Sequence, residues 1–293
     1  VALTDSARMR PILDGRVGVE GVKLAPRMLS AGELIWRQLR LAEFDVSEMS
    51  IASYIISISH GTSSWVGLPV FANRSFPHTG VVVRSDSGIA APADLRGKRV
   101  GIVEYQQSSV VWIRGVLQHE FGVAPHEIQW CVERSPSASH GAATGFRPPP
   151  GVQLSFVPFD SSLSEMMLAD KLDAIAYYPD DPFDRRHVAL GAKCHPLFAD
   201  PAGEGRRYYE KTGFFPVNHC VIVRRELAES HPEVLTKLYN AFVEAKDLAQ
   251  VPELYPSPYG IEAAASLLET YSDYLVEQGL SSRPVHPDEM FVH

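Results

Sequence analysis

Residues 92–122, PADLRGKRVGIVEYQQSSVVWIRGVLQHEFG, decide the fold class. Pro92–Gly97 reads as one turn of helix, and Lys98–Val103 follows as a short apolar run of the kind buried in a sheet. Beyond the polar cluster Gln106-Gln107-Ser108-Ser109, the residues Val110, Ile113, Leu117 and Phe121 recur at helical spacing until Gly122 ends the pattern. A strand that runs straight into a helix is a βα unit, so the chain is expected to be an α/β protein. Such a junction also binds anions, because free N–H groups and the positive end of the helix dipole point outward there. The glycines that let a backbone wrap phosphate are missing. A carboxylate or a phenolic oxygen therefore suits Gln106, Gln107, Ser108 and Ser109 better, the other reading being that Ser108 caps the helix and the rest face water.

Working outward, strands are expected at about 65–70, 79–84, 128–132, 153–157 and 173–178, and again at Cys220–Val223. Ser30-Ala31-Gly32-Glu33 and Ser230-His231-Pro232-Glu233 are capping boxes that open helices. A short strand near Phe44–Val46 leads into Ser47-Glu48-Met49-Ser50 and a helix closed by Gly61, and a last helix covers about 261–278. Asp160 is expected to cap a helix at 163–172, while 135–151 is loop by composition and 179–218 shows little periodicity. The order predicts a discontinuous first lobe, 1–85 with 219–293, and a second αβ unit, 86–218, inserted into it. Two crossings between lobes imply a hinge, with a ligand in the cleft between them.

Bulk composition excludes several classes of function. The 293 residues are 45% hydrophobic and carry a net charge of −8 with no basic stripe, which argues for a globular chain and against a nucleic-acid partner. No apolar run approaches the ~18 residues needed to span a membrane. Three cysteines, Cys131, Cys194 and Cys220, form no C-x-x-C pattern, and no signal-like leader precedes them. Together these predict a cytoplasmic protein, with a periplasmic location as the alternative. Eleven histidines occur, none at metal-ligand spacing, and no nucleotide motif or lysine suited to a Schiff base stands out, so neither a metal nor a cofactor is expected, the alternative being a metal site assembled from distant residues such as His78, His219 and Glu48. A small-molecule partner is expected, and a homo-oligomer is compatible with this composition.

PADLRGKRVGI resembles the opening of the second lobe in the type II periplasmic-binding-protein fold. FDVSEMS (44–50), GLPVFANRSFPHTGVVVRSDSGI (67–89), the 94–123 run, the Tyr-x-x-Thr-Gly-x-Phe-Pro-x-x-His pattern at 209–219 and HPEVLTKLYNAFVEAK (231–246) are together similar to the 4,5-dihydroxyphthalate decarboxylase family. That resemblance implies a cofactor-independent decarboxylase acting on a hydroxylated aromatic acid. A solute-binding protein for a similar acid, feeding a transporter, is the alternative.

Losing CO2 from an electron-rich ring without a cofactor requires protonating the carbon that bears the carboxylate, helped by an ortho or para hydroxyl. The site then needs a general acid, a group to take the phenolic proton and donors to hold a second carboxylate. Glu48, flanked by Ser47 and Ser50, is the first candidate for proton transfer, against the plainer reading of a helix cap. The family reading has Arg74 offering a planar fork to a carboxylate and His78 titrating near neutrality. Trp112 is placed either to stack on a ring or to fill the core, Tyr178 ends a strand, and His219 either reaches the ligand or braces the hinge.

Overall fold

Two separate sheets organise the chain, which a computed structural model describes over residues 1–176 and 188–292. The strands are β1 (Ala2–Leu3), β2 (Arg27–Met28), β3 (Val46–Ser50), β4 (Trp65–Arg74), β5 (Val82–Arg84), β6 (Arg99–Ile102), β7 (Gln129–Val132), β8 (Gln153–Phe156), β9 (Ala174–Ile175), β10 (Cys194–Pro196) and β11 (Val217–Arg224). The helices are α1 (Arg10–Leu13), α2 (Ala31–Leu41), α3 (Ile51–Ser59), α4 (Ser108–Phe121), α5 (Gly141–Thr144), α6 (Leu163–Leu168), α7 (Pro201–Thr212), α8 (Arg225–Ser230), α9 (Glu233–Ala249), α10 (Ala265–Glu277) and α11 (Pro287–Met290). Among the described residues, no helix is long and apolar enough to cross a membrane.

The first sheet runs β2-β1-β3-β11-β4, with β11 antiparallel to both its neighbours. The second runs β10-β5-β9-β6-β7-β8, parallel from β9 to β8 and antiparallel at β5 and β10. Each sheet belongs to its own compact unit. The first unit is Val1–Arg74, Val217–Asp273 and Ser281–His293, and the second is Ser75–Pro216 with Tyr274–Leu280. This division differs from the expected one in three places, the smallest being residues 217–218, which begin β11 and so fall in the first unit. Residues 75–85 belong to the second unit because β5 pairs with β9 and β10, and residues 274–280 join it because Tyr274 packs on Gly115. A Cβ at Gly115 would lie 2.2 Å from Tyr274 Cδ2, so only glycine lets the ring approach.

Local chemistry fixes the helix starts. Ser30 accepts the Glu33 N–H, Ser50 the Ser53 N–H and Asp200 the Gly203 N–H. Ser162, rather than Asp160, caps α6, completing a capping box with Glu165. Helix α7 lies in the segment that shows no periodicity; only Gly205 and Tyr208 of its twelve residues are buried, which is too few to write an apolar stripe.

The first unit's core joins Leu3, Val46, Leu68, Val70, Val221 and Val223 of the sheet to Leu238 and Phe242 of α9. Each such side chain removed from water contributes roughly 1.5–3 kcal/mol. In the second unit Leu163, Met167, Leu172 and Ile175 form a smaller cluster. Gly101 of β6 faces Leu163 and Leu172, which a Cβ would approach to 2.6 and 2.9 Å.

Candidate active site

The pairing directions bring the carboxyl ends of β1, β3 and β4 to one edge of the first sheet, beside the start of β11. Ligand sites in open α/β sheets form outside such carboxyl ends. Alternate residues of a strand share a face, and Val46, Glu48 and Ser50 of β3 stand opposite Val223, Val221 and His219 of β11. The inner part of this face is apolar and joins the core. Its outer end is Glu48, Ser50 and His219.

Glu48 therefore lies within β3, not at the strand-to-helix turn expected from the sequence, and it is 1% exposed. Its Oε1 is 2.7 Å from His219 Nδ1, while Oε2 accepts the N–H (3.0 Å) and the hydroxyl (2.7 Å) of Thr4 just past β1. Burial alone would raise this carboxyl, but the hydrogen bond and charge of His219, with the two bonds from Thr4, hold it below the ordinary carboxylate range. An ionised Glu48 fixes the proton of His219 on Nδ1, so Nε2 is the nitrogen left to exchange a proton. Burial and the charge of Glu48 push up the thiol of Cys220, next to His219 in sequence, and it stays protonated.

Ser50 caps α3, and Ser47 is buried on the opposite face of β3 with no hydrogen-bond partner at its Oγ. Asn218 Nδ2 donates to Asn73 Oδ1 (3.1 Å) across β11 and β4. Arg74, the last residue of β4, donates to the Pro258 carbonyl (3.2 Å) and lies 4.9 Å from the Phe71 ring centroid. Burial, assisted by the nearby positive charge of Arg8, lowers its pKa to about 10.

The other expected residues belong to the second unit. His78, in a single 3-10 turn at Pro77–Gly80, is 1% exposed among Phe76, Phe198 and Tyr208. Its Nε2 is 3.3 Å from Glu204 Oε1, an ion-pair distance with an angle too poor for a hydrogen bond. Burial would raise Glu204, yet Arg207 and His78 hold it at about 2. Gln107 is the N-cap residue of α4, so Ser108 begins the helix instead of capping it. Gln106 Oε1 accepts from the Thr144 hydroxyl (2.7 Å), whereas Gln107 Oε1 and Ser109 Oγ are buried without a hydrogen-bond partner among the described residues. Trp112 is fully buried against Tyr274, 5.8 Å between centroids, which makes it core. Tyr178 lies outside the described residues.

Thr4 was invisible because β1 is two residues long, too short to show a period. A second buried carboxylate also went unread. Glu104, after β6, accepts from Arg134 Nη1 (3.0 Å), Ser139 Oγ (2.9 Å), His140 N (3.1 Å) and Gly141 N (2.7 Å). Among the described residues, no group of three or more His, Cys, Asp or Glu is placed to hold a metal ion.

Comparison with known proteins gives the chain a family and a fold. A family model described as NMT1/THI5 like matches residues 70–141. The 4,5-dihydroxyphthalate decarboxylase of Comamonas testosteroni is 32% identical, over 99% of this chain and 95% of that protein. The enzyme of the same name from Pseudomonas putida is 31% identical over 73% of this chain and 82% of its own length. The chain belongs to the 4,5-dihydroxyphthalate decarboxylase family, a family of carboxy-lyases. Its fold is that of the Escherichia coli periplasmic aliphatic sulphonate binding protein SsuA (TM-score 0.57, 15% identity, 99% of this chain and 96% of that one). The desulfurization enzyme DszB, solved with biphenyl-2-sulfinic acid, shares it (TM-score 0.56, 14% identity, 99% and 96% covered).

Proposed function

We propose that this chain decarboxylates a hydroxylated aromatic acid of the 4,5-dihydroxyphthalate kind, with His219 moving the proton and Glu48 orienting it. The observation that carries the reading is the 2.7 Å Glu48–His219 contact at the carboxyl-end edge of the first sheet, with the other Glu48 oxygen already saturated by Thr4. A carboxylate so occupied serves as an orienting group. The imidazole, 14% exposed at the side chain, is the group able to meet a substrate.

The chemistry is a proton-for-CO2 exchange at one ring carbon. A hydroxyl para to the departing carboxylate gives its proton to solvent and pushes electrons into the ring; the ring carbon takes a proton from imidazolium Nε2–H; the C–CO2 bond then breaks and its electron pair restores aromaticity as the phenolate, after which the phenolate oxygen and Nε2 each take a proton back from solvent. Glu48 stabilises the imidazolium before transfer and keeps the ring in place after it. His78, enclosed by aromatic side chains and Glu204, braces the second unit in this reading.

Incubating the purified protein with 4,5-dihydroxyphthalate in D2O tests the reading. One equivalent of CO2 and one deuterium at the vacated ring carbon are expected, with both lost in His219→Asn. The fold shared with SsuA supports a second reading, capture of an aromatic acid without turnover. A ligand-induced melting shift with no CO2 from any hydroxylated benzoate or phthalate would decide for it.

A further inference from the structure

The loop between α9 and α10 is tied to the first unit at four places. Lys246 Nζ donates to the Ser257 carbonyl (2.7 Å), Arg74 to the Pro258 carbonyl (3.2 Å) and the Gly260 N–H to the Pro69 carbonyl (2.9 Å). Glu253 receives Arg8 Nη2 (3.0 Å), together with the N–H and hydroxyl of Ser257. Two guanidinium groups from distant parts of the chain, after β1 and at the end of β4, thus converge on one short loop. Between the two anchoring residues Pro258 and Gly260 sits Tyr259, with Lys246 Nζ 5.0 Å from its ring centroid.

The ring of Tyr259 packs on the first unit's core, but its hydroxyl is unused. Its Oη is shut off from solvent and has no hydrogen-bond partner among the described residues, which costs free energy unless a ligand supplies an acceptor. Tyr259 as a residue is only part-buried, and Leu254, Pro256 and Pro258 nearby in the chain are exposed, so this loop lies at the surface of the first unit. Burial pushes the phenol up to about 12, and it feels the charges of Arg8, Glu48, Glu253 and Arg74. The phenol is therefore a proton donor at neutral pH, in the field of the Glu48 carboxylate. Arg8 and Arg74 repel one another across the same space, and an anion between them would relieve that repulsion.

We infer that Tyr259, Arg8 and Arg74 grip the carboxylate that the reaction leaves on the ring, which makes the α9–α10 loop the part that selects vicinal aromatic dicarboxylates. The inference rests on the decarboxylase reading for its substrate class. A planar fork suits a carboxylate, and a phenol O–H adds a third donor to an oxygen that two forks leave partly unfilled. An aromatic acid with one carboxylate fills either this grip or the reacting position, but not both.

Phthalate and benzoate, neither of which carries the hydroxyl needed for turnover, are the probes. Calorimetric binding to the intact protein should favour phthalate by about tenfold or more, the effect of one charge-assisted grip. Tyr259→Phe and Arg8→Lys should each cut that preference by roughly fivefold or more. Tyr259→Phe should also raise KM for 4,5-dihydroxyphthalate while leaving kcat within about threefold, the pattern of lost uniform binding. A preference unchanged in both variants, or absent from the unaltered protein, overturns the inference. CO2 release with unchanged preference removes the grip and keeps the decarboxylase; an intact, Tyr259-dependent preference without CO2 release removes the decarboxylase and keeps the grip.

Discussion

Glu48 in the first unit and Glu104 in the second are at most 2% exposed, each stands beside a histidine, and each is held below the ordinary carboxylate range. Their surroundings differ. Glu104 is closed on all sides: Arg134, Ser139 and two backbone N–H groups fill its oxygens, and Arg134 Nη1 lies 3.0 and 3.2 Å from the two ring nitrogens of His140, itself 5% exposed. That arrangement pins the start of α5 to the end of β6. Glu48 is just as buried, but its histidine sits at the carboxyl-end side of the sheet, and among the described residues only its Nδ1 is hydrogen-bonded. A lowered carboxylate pKa is therefore common to scaffold and site alike, and the histidine's second nitrogen tells them apart.

The largest expected effect falls on chemistry. His219→Asn should lower kcat by about 100- to 10,000-fold, the span of general acid–base catalysis, with little change in the urea midpoint. If CO2 release survives at the parent rate, the edge histidine is no more catalytic than His140. Glu104→Gln should do the reverse. Leaving Arg134 short of its buried partner should cost about 3 kcal/mol in urea unfolding, with kcat per folded molecule unchanged. A fall in kcat like that of His219→Asn would erase the contrast between the two glutamates.

Smaller effects sharpen it. Gly115→Ala puts a methyl group into the Tyr274 ring and should destabilise by about 1–3 kcal/mol, read by thermal melting, through loss of the seam that holds 274–280. A further carboxylate beside a histidine, Glu204, is part-buried and tests the acid side. Its folded pKa is about 2 against an ordinary value of 4.5, so its contribution to stability is complete above about pH 4.5 and lost as pH falls toward 2. Glu204→Gln should cost about 1–2 kcal/mol near neutrality and almost nothing at about pH 2, measured as the gap between the two urea curves.

What could be read in the sequence was what depends on neighbours along the chain. The βα unit at 98–122, the cap at Ser30 and the glycine stop at Gly122 are local events in which a few successive residues set backbone geometry. Helix α7 was not legible because it buries so little. Glu48 was legible as a residue, through the FDVSEMS motif, although its element was misread: VSEMS has one apolar side chain at each end of a polar pair and writes neither period cleanly. The sequence by itself determined an α/β chain in two units and a family. Tertiary structure alone decided that Thr4, Glu48 and His219, up to 215 positions apart, meet at one edge, that Trp112 is core, and that Glu104 is shut in. Strand register and sheet order make those meetings, and both arise from pairings between segments whose separation no local pattern records.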